Sequence, residues 1–475
     1  MINNKITNKR LKIAYISFTL LIISFFLIIS LFKDVNTIFA LSIITYVSFI
    51  MICIPNYKNN ISILMFLMCF FIFLMGSYFA YEYLDYTEGV VLFDENTQNH
   101  IYLSILIALI SIFFGYFFAR FGADYKNNEV NKEKELLVQS SSLILFYLSY
   151  IPYITIEFLR VIKVREIGYT GLYLENIVNL PYIITLFAYG CRIYFFIYLS
   201  TLPSKNKSRL PIILFFIYSA VSLFTGNRST FVVNVSLIFI YYIFRSKNSS
   251  VRDNWINERN IIFIIILVPI LLYLLDLVGN IRFNNTLFEQ ESSSTLIDIF
   301  VKQGVSSSVI GYGKIYNYKI PEKIYSFGDI YEKIRFNPIS VLVMGGKFIS
   351  GNSVERAING NSFAHIISYI VLPFGYLRGR GLGTTYIAEA YHDFGYLGII
   401  LFSFIYGVIL KKCRNFENSN YFKRSIILIV LGSLLMTPRS NADDILSIFL
   451  QTEVIFSFIL LRLLILASRR KLIFK

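Results

Sequence analysis

The sequence predicts an all-α fold: a polytopic membrane protein with about 12 transmembrane helices and one large outer loop. Of its 475 residues, 56% are hydrophobic and 15% are charged, which is far more apolar surface than a soluble core of this length needs. Apolar runs close to the ~20 residues that span a hydrocarbon core recur along the chain. Basic residues concentrate in alternate loops, as the positive-inside rule requires of a multi-pass protein.

Twelve apolar runs are predicted to span the membrane. The first nine lie at Leu11–Leu31, Thr37–Ile54, Ile61–Ala80, Ile101–Ala119, Ser141–Leu159, Leu180–Leu202, Pro211–Gly226, Ser229–Phe244 and Ile261–Gly279. The last three lie at Thr385–Leu410, Ser425–Pro438 and Ile445–Leu466. The predicted regions are therefore 1–279 with nine spans and short loops, 280–384 as a large extracytoplasmic loop, and 385–475 with three spans and a cytoplasmic tail.

The large loop is predicted to carry interfacial or re-entrant helices, because it contains apolar groups but no full-length span. Phe363–Leu377 is apolar, but it is only about 15 residues long and Pro373 interrupts it. If this segment crossed the membrane, the basic loop Lys411–Arg424 would face outward, against the charge rule. We therefore expect it to enter or lie on the membrane without crossing it.

The placement of the charge explains the net charge of +15 without a nucleic-acid partner. The segments predicted to be cytoplasmic hold more than half of the 44 Lys and Arg residues, whereas Tyr81–His100 holds none. Basic residues in this pattern orient helices in a bilayer. Both termini are therefore predicted to be cytoplasmic.

Cysteine and histidine usage predicts no metal site, no cofactor and no disulfide on the outer face. Three of the four cysteines, Cys53, Cys69 and Cys191, fall in predicted spans, and Cys413 falls in a cytoplasmic loop. No CxxC or His-Cys cluster is present, and the three histidines are far apart in the sequence.

The most informative stretch is Arg378–Gly398, which reads RGRGLGTTYIAEAYHDFGYLG. A glycine-rich basic strip runs into an apolar helix on which Glu389, His392 and Asp393 share one face. Ionisable groups in a membrane helix cost on the order of 3 kcal/mol each without partners or water, so this face is a candidate site. One of the three is predicted to be a general base toward a hydroxyl. A salt bridge or a satisfied buried polar group explains each of them about equally well.

Five arginines on the predicted outer side form a candidate pyrophosphate site, because a guanidinium fork binds phosphate oxygens in pairs. They are Arg228, Arg282, Arg378, Arg380 and Arg439. Gly381, Gly383 and Thr384 add backbone amides at the start of a helix, where the dipole favours an anion. Taken singly, each arginine is more readily explained by lipid headgroups or by an acidic partner.

Two further polar residues lie in apolar surroundings. His365, in the re-entrant segment, is a candidate contact to the acceptor, although a lone histidine there is more often structural. Arg192 lies near the middle of the sixth span and is predicted to pair with Glu453 or Glu157, because a buried charge needs a partner.

These motifs resemble those of the oligosaccharide repeat-unit polymerases, the Wzy-type O-antigen and capsule polymerases of bacteria. The resemblance rests on TGNRS, a large outer loop, the strip beginning at Arg378 and a late PRS. Family features of a Gly-x-Arg turn, a Gly-x-Gly-Thr strip with Ala-Glu, and an aromatic-x-x-Phe-Gly pattern map to Arg228, Gly381, Gly383, Thr384, Glu389, Phe394 and Gly395.

The resemblance implies a membrane glycosyltransferase of GT-C-like architecture at the bacterial cytoplasmic (inner) membrane, with its active site facing the periplasm or cell exterior. A growing glycan would pass from undecaprenyl pyrophosphate to the non-reducing end of another lipid-linked unit. Implied partners are the lipid-linked donor and acceptor, the bilayer, a chain-length regulator and a flippase. The activated donor would need neither nucleotide sugar nor metal.

Three alternatives stay open. An O-antigen ligase would use the same donor and a similar outer loop but transfer to the lipid A core. A lipid-linked oligosaccharide flippase or other transporter would show shorter outer loops and paired half-repeats, and this chain has no evident repeat. A non-catalytic envelope assembly protein would tolerate loss of the outer arginines.

Overall fold

The described part of the chain is helical throughout. The computed structural model describes residues 18, 20–26, 28–31, 35–119, 132–171, 180–225, 227–246, 255, 296–335 and 351–473. Its secondary structure within these residues consists of helices and connecting turns, and it contains no strand. The predicted all-α class is confirmed.

We number the α-helices of the described residues in chain order. They are α1 Thr37–Cys53, α2 Tyr57–Phe70, α3 Gly76–Leu84, α4 Glu95–Phe118, α5 Lys132–Gly171, α6 Tyr182–Tyr189, α7 Cys191–Ser200, α8 Lys205–Phe224, α9 Arg228–Ser246, α10 Leu296–Gln303, α11 Val305–Ile315, α12 Gly328–Arg335, α13 Val354–Asn359, α14 Phe363–Val371, α15 Pro373–Leu377, α16 Tyr386–Cys413, α17 Tyr421–Met436, α18 Asp444–Ser447 and α19 Thr452–Ile473. A π-helical turn, Phe71–Met75, joins α2 to α3.

Among the described residues, eight helical runs are long and apolar enough to cross a membrane, and the bent segment containing α18 and α19 makes a ninth. The first run, Thr37–Leu84, folds back on itself. The rings of Phe39 and Tyr78 lie 6.4 Å apart. Those of Tyr46 and Phe71 lie 5.3 Å apart. These contacts make α1 antiparallel to α2 and α3, so this run provides two spans.

The multi-pass membrane architecture is thus confirmed, while the number of about 12 spans stays a prediction. The predicted span Ile261–Gly279 lies outside the described residues, and Leu11–Leu31 lies partly outside them. Each of the other ten predicted spans overlaps a described helix.

Helices α4 and α16 cross in close contact, because glycine faces backbone on both of them. A Cβ atom built on Gly115 would lie 2.1 Å from the carbonyl oxygen of Phe404. A Cβ atom on Gly407 would lie 2.3 Å from the carbonyl oxygen of Ile112. Small residues at such a crossing let two membrane helices approach without intervening side chains.

The described part of the predicted outer loop contains α10 to α15, and α11 is buried in the bundle. Val309 and Ile310 of α11 are buried, and the helix packs against α4 and α16. Phe363–Leu377 forms two short helices, α14 and α15, which meet at Leu372 just before Pro373. The side of the membrane on which these helices lie stays a prediction.

Candidate functional site

The strip at residues 378–398 is held by hydrogen bonds at its centre. Glu389 is fully buried in the first turn of α16. Its Oε1 accepts a hydrogen bond from the Thr384 hydroxyl at 2.8 Å, and its Oε2 accepts one from the Ala442 backbone N–H at 2.8 Å. One carboxylate oxygen therefore holds the strip that leads into α16, and the other joins α16 to the segment before α18.

The other two ionisable residues of this face contact the predicted outer loop. Asp393 accepts hydrogen bonds from the backbone N–H groups of Tyr325 at 3.1 Å and Ser326 at 2.6 Å, one on each carboxylate oxygen. The Nδ1 atom of His392 lies 2.6 Å from Asn317 Oδ1. Asp393 and His392 thus anchor residues 317–326. The His392 ring is half-buried.

Gly395 ends this face. Its backbone has φ 62° and ψ −152°, which is not helical, so α16 bends between the arm that carries the three residues and the long arm that crosses the bundle. A positive φ is the region that glycine occupies without a steric penalty. The bend separates the anchoring residues from the membrane-crossing arm.

The glycine strip before α16 does not leave its helix N-terminus open. Thr385 caps the helix by accepting from the Ile387 N–H at 3.4 Å, and Thr384 and Thr385 are buried. Gly383 has a φ of +78°, and a Cβ atom built on Gly381 would lie 3.4 Å from the Ser368 hydroxyl, which accepts a hydrogen bond from the Leu382 N–H. The predicted anion site at this helix end is therefore largely occupied by the chain itself.

The four predicted arginines that the structure describes lie on three separate parts of the chain. Arg378 and Arg380 are exposed on the turn after α15. Arg439 lies elsewhere, 2.6 Å from Gln303 Oε1 and over the ring of Phe73. Arg228 is the first residue of α9, which packs against α2, α8 and α17. The fifth, Arg282, lies outside the described residues.

His365 joins two helices of the predicted outer loop. Its Nδ1 lies 2.9 Å from the Tyr376 hydroxyl, which also donates to the Ser353 carbonyl at 3.3 Å. Burial, with a smaller effect of Arg356, lowers the pKa of His365 to about 4. The imidazole is therefore neutral at physiological pH, and contact with an acceptor stays a prediction.

One group of carboxylates lies close enough to suggest a cation. Oxygens of Asp329, Asp443 and Asp444 lie within 4.8 Å of one another. The Lys333 ammonium bonds Asp329 at 2.5 Å and the Ser447 hydroxyl at 3.0 Å, so a positive charge is already present there. This lysine provides the charge compensation that a metal would otherwise supply.

A polar cavity of about 210 Å³ lies elsewhere in the bundle, among α5, α7, α8, α17 and α19. Its lining includes Arg160 and Arg192, the carboxylates of Glu157 and Glu453, and the side chain of Asn227. Asn227 lies in the turn before α9, directly beside Arg228. Charged side chains around a cavity between membrane helices mark a binding site by default.

The predicted pairing of Arg192 with Glu157 or Glu453 is wrong. Glu157 pairs instead with Arg160, three residues later on α5, at 3.0 Å. Among the described residues no carboxylate lies within salt-bridge distance of Arg192, and its buried Nε has no hydrogen-bond partner. Residues at i and i+3 on one helix already meet, so Glu157 needed no distant partner.

Sequence reasoning did not include this cavity in the site. No local pattern marks Arg160, Tyr153 or Tyr218, and the position of Arg192 in a span predicts only a structural ion pair. The signal was present as Glu157 and Arg160 near the outer end of the predicted fifth span, together with Arg192 in the middle of the sixth. Their convergence depends on the packing of α5 against α7, which the sequence does not state.

Fold and cavity together define a multi-pass helical membrane protein with a charged site inside its bundle. The model of the family described as O-antigen polysaccharide polymerase Wzy matches residues 13–471, so the chain belongs to that family. Membership makes it a polysaccharide polymerase of the membrane and implies lipid-linked glycan substrates. The chain matches no curated protein and no solved structure.

Proposed function

We propose that this chain polymerises undecaprenyl-pyrophosphate-linked repeat units into O-antigen or capsular polysaccharide at the outer face of the bacterial cytoplasmic membrane. The observation that carries the proposal is the charged cavity of about 210 Å³ inside a bundle of this family. An amphipathic donor needs a polar site next to lipid, and such a cavity offers one. The positive-inside rule supports a cavity that opens to the outer side. The span before Asn227 begins in a basic loop, which the rule places in the cytoplasm, so Asn227 at the other end of that span lies outside.

The proposed reaction is a glycosyl transfer between two lipid-linked glycans. An acceptor hydroxyl oxygen attacks the anomeric carbon of the donor sugar and forms the glycosidic bond. The bond from that carbon to the pyrophosphate oxygen breaks, and the carrier pyrophosphate leaves with the electron pair. A protein base takes the hydroxyl proton, and guanidinium groups stabilise the charge on the leaving group.

Two residues are the best candidates for the base. His392 is the better candidate of the three residues on α16. The carboxylates of Glu389 and Asp393 are less suited to take a proton, because each already accepts hydrogen bonds on both of its oxygens. Glu453 joins it, because this carboxylate lines the cavity. Replacing the base, by His392→Asn or Glu453→Gln, should lower extension by roughly 10²- to 10⁴-fold.

The partners in this proposal follow from its location. A flippase delivers repeat units to the outer face, and a chain-length regulator acts on the growing product. Both termini are cytoplasmic, and the loop at 280–384 lies outside. The cytoplasmic basic segments support this orientation.

Purified protein in proteoliposomes with lipid-linked repeat units tests the function. We expect longer glycans on the lipid carrier, released carrier pyrophosphate and no need for nucleotide sugar. Movement of substrate across the bilayer without any longer product would instead identify a flippase. Transfer only to lipid A core would identify a ligase.

The same assay tests the outer arginines. Arg228→Ala should abolish extension while expression persists, because Arg228 adjoins Asn227 of the cavity. Arg378→Ala and Arg380→Ala test the predicted strip, whose guanidinium groups lie exposed on another part of the chain. Full activity in all three variants would refute their assignment to the pyrophosphate.

A further inference from the structure

We propose that Arg192 and the cavity around it bind the phosphate-bearing head of a polyprenyl lipid carrier, inside the helix bundle. This inference rests on the proposed function and moves its anion site from the outer loop to α7.

Among the described residues, no carboxylate lies within salt-bridge distance of Arg192. Its Nε is buried and unpartnered, and its guanidinium carbon lies 5.5 Å from the centre of the Phe196 ring. An aromatic face offsets only part of the cost of desolvating a guanidinium. A buried arginine facing a cavity therefore calls for an anion in that cavity.

Gly432 of α17 makes room for the guanidinium. A Cβ atom built on Gly432 would lie 2.6 Å from Arg192 Nη2, which is closer than real Cβ atoms come to neighbouring groups. Leu431, Leu434 and Leu435 of the same helix are large and buried. The absence of a side chain at this one position sets where the arginine head lies.

Two of the other charges of the cavity pair with each other. Arg160 bonds Glu157 at 3.0 Å and also stacks over Tyr189, with its guanidinium carbon 5.4 Å from the ring centre. The Glu453 carboxylate lies 3.4 Å from the Thr452 hydroxyl and has no salt bridge among the described residues. An anionic ligand would therefore bind at Arg192, the described cation of this cavity that has no salt bridge.

The size of the cavity selects the ligand group. Its volume is about 210 Å³, and one water occupies about 30 Å³ of liquid, so a phosphate or pyrophosphate fits and an oligosaccharide does not. The stacked rings of Tyr153 and Tyr218, 3.8 Å apart, form part of its wall. The glycan of a lipid-linked substrate would therefore extend out of the cavity while its phosphates stay inside.

Binding to the full-length protein in lipid nanodiscs tests the inference. The probes are geranylgeranyl pyrophosphate, inorganic pyrophosphate and geranylgeraniol. We expect the prenyl pyrophosphate to bind most tightly and Arg192→Gln to weaken it at least tenfold, since the main charge-assisted contact is lost. Arg165→Gln is the matched control: Arg165 is exposed on the same helix as Arg160 and does not line the cavity, so affinity should stay within about twofold.

A second variant guards against failure of Arg192→Gln to fold. Gly432→Ala keeps the arginine but places a methyl group 2.6 Å from its present Nη2 position, so the guanidinium must shift and we expect a smaller loss of affinity in the same direction. Unchanged affinity in Arg192→Gln, or in Gly432→Ala where the first variant does not fold, overturns the inference. So does equal binding of geranylgeraniol, or tight binding of inorganic pyrophosphate that the prenyl compound does not displace.

The binding assay needs no acceptor, so it separates the two proposals. A protein that binds prenyl pyrophosphate through Arg192 but never extends a glycan overturns the proposed function alone. Extension with unchanged binding in Arg192→Gln overturns the cavity assignment alone.

Discussion

Single carboxylates in this protein join segments that are far apart in the chain. Asp443 is 2% exposed, and its Oδ2 accepts a hydrogen bond from the Ile330 N–H at 2.8 Å, which ties α12 to the start of α18. Its Oδ1 is buried and has no hydrogen-bond partner among the described residues. A carboxylate in such surroundings is easier to bury protonated than charged.

Stability should depend on pH through this residue. Burial, with a smaller effect of Asp329 and Asp444, raises the pKa of Asp443 to about 7. The folded state holds this proton more tightly than the unfolded state. The contribution of Asp443 to the free energy of unfolding is therefore fully present below about pH 4 and is lost as pH rises to about 7. We expect the melting temperature of the purified protein to fall over this range by a few degrees more in wild type than in Asp443→Asn.

Asp443→Asn is a close match, because the amide oxygen still accepts from the Ile330 N–H and the side chain no longer titrates. Titrating groups remote from Asp443 act equally in both proteins, so the difference between the two pH profiles reports Asp443 together with its coupling to Asp329 and Asp444. Parallel profiles would contradict the assigned pKa.

The candidate site could be predicted from sequence only where one helix carries it. Glu389, His392 and Asp393 lie together on one arm of α16 because helical spacing requires it. Their partners in the loop at 317–326 and at Ala442 depend on tertiary packing, and no local pattern announces them. Arg192 was visible as a charge in a span, but its free guanidinium became evident only once the positions of α5 and α17 were known.

At the level of helices, α4 and α16 cross so closely that their backbones are in contact at Gly115 and Gly407. Gly407→Val should force the two helices apart, because its Cβ would lie 2.3 Å from the Ile112 carbonyl oxygen. Overpacking of this kind costs about 1–3 kcal/mol or more. We expect a lower melting temperature and reduced yield of folded protein in detergent.

Gly375→Ala is the matched control for that substitution. The nearest atom to a Cβ built there is 3.7 Å away, which is ordinary contact. Its melting temperature should stay close to that of wild type. Equal behaviour of the two glycine variants would show that the crossing does not depend on close approach.

Most spans were predictable because a bilayer imposes length and hydrophobicity on any segment that crosses it. The turn between α1 and α2 follows from Pro55 and the polar residues after it. Burial of α11 was not predictable in this way, since its three serines at 306–308 read as surface residues but are buried against neighbouring helices. Its small side chains fit a narrow space between larger elements.

At the level of the molecule, the orientation in the membrane can be measured directly. Tyr318 is 78% exposed on the predicted outer loop, and Asn418 is exposed on the predicted cytoplasmic loop. We expect an impermeant maleimide to label Tyr318→Cys in intact cells and Asn418→Cys only after permeabilisation. The four native cysteines are buried, so background labelling should be low.

The opposite labelling pattern would reverse the assigned orientation and place residues 296–335 in the cytoplasm. Labelling of both positions in intact cells would indicate leaky membranes, so a cytoplasmic marker protein serves as the control. The result bears on the proposed function, because an outer active site requires Tyr318 to be outside.

The burial of α11 determines how parts of this protein could be exchanged with those of relatives. A chimera that transplants only the outer loop would separate α11 from the surfaces of α4 and α16 that enclose it, and would remove Tyr325 and Ser326 from Asp393. A transferable unit therefore includes at least the loop together with both of these helices. Substrate preference carried by the loop would be inherited along with part of the membrane bundle, not as an independent module.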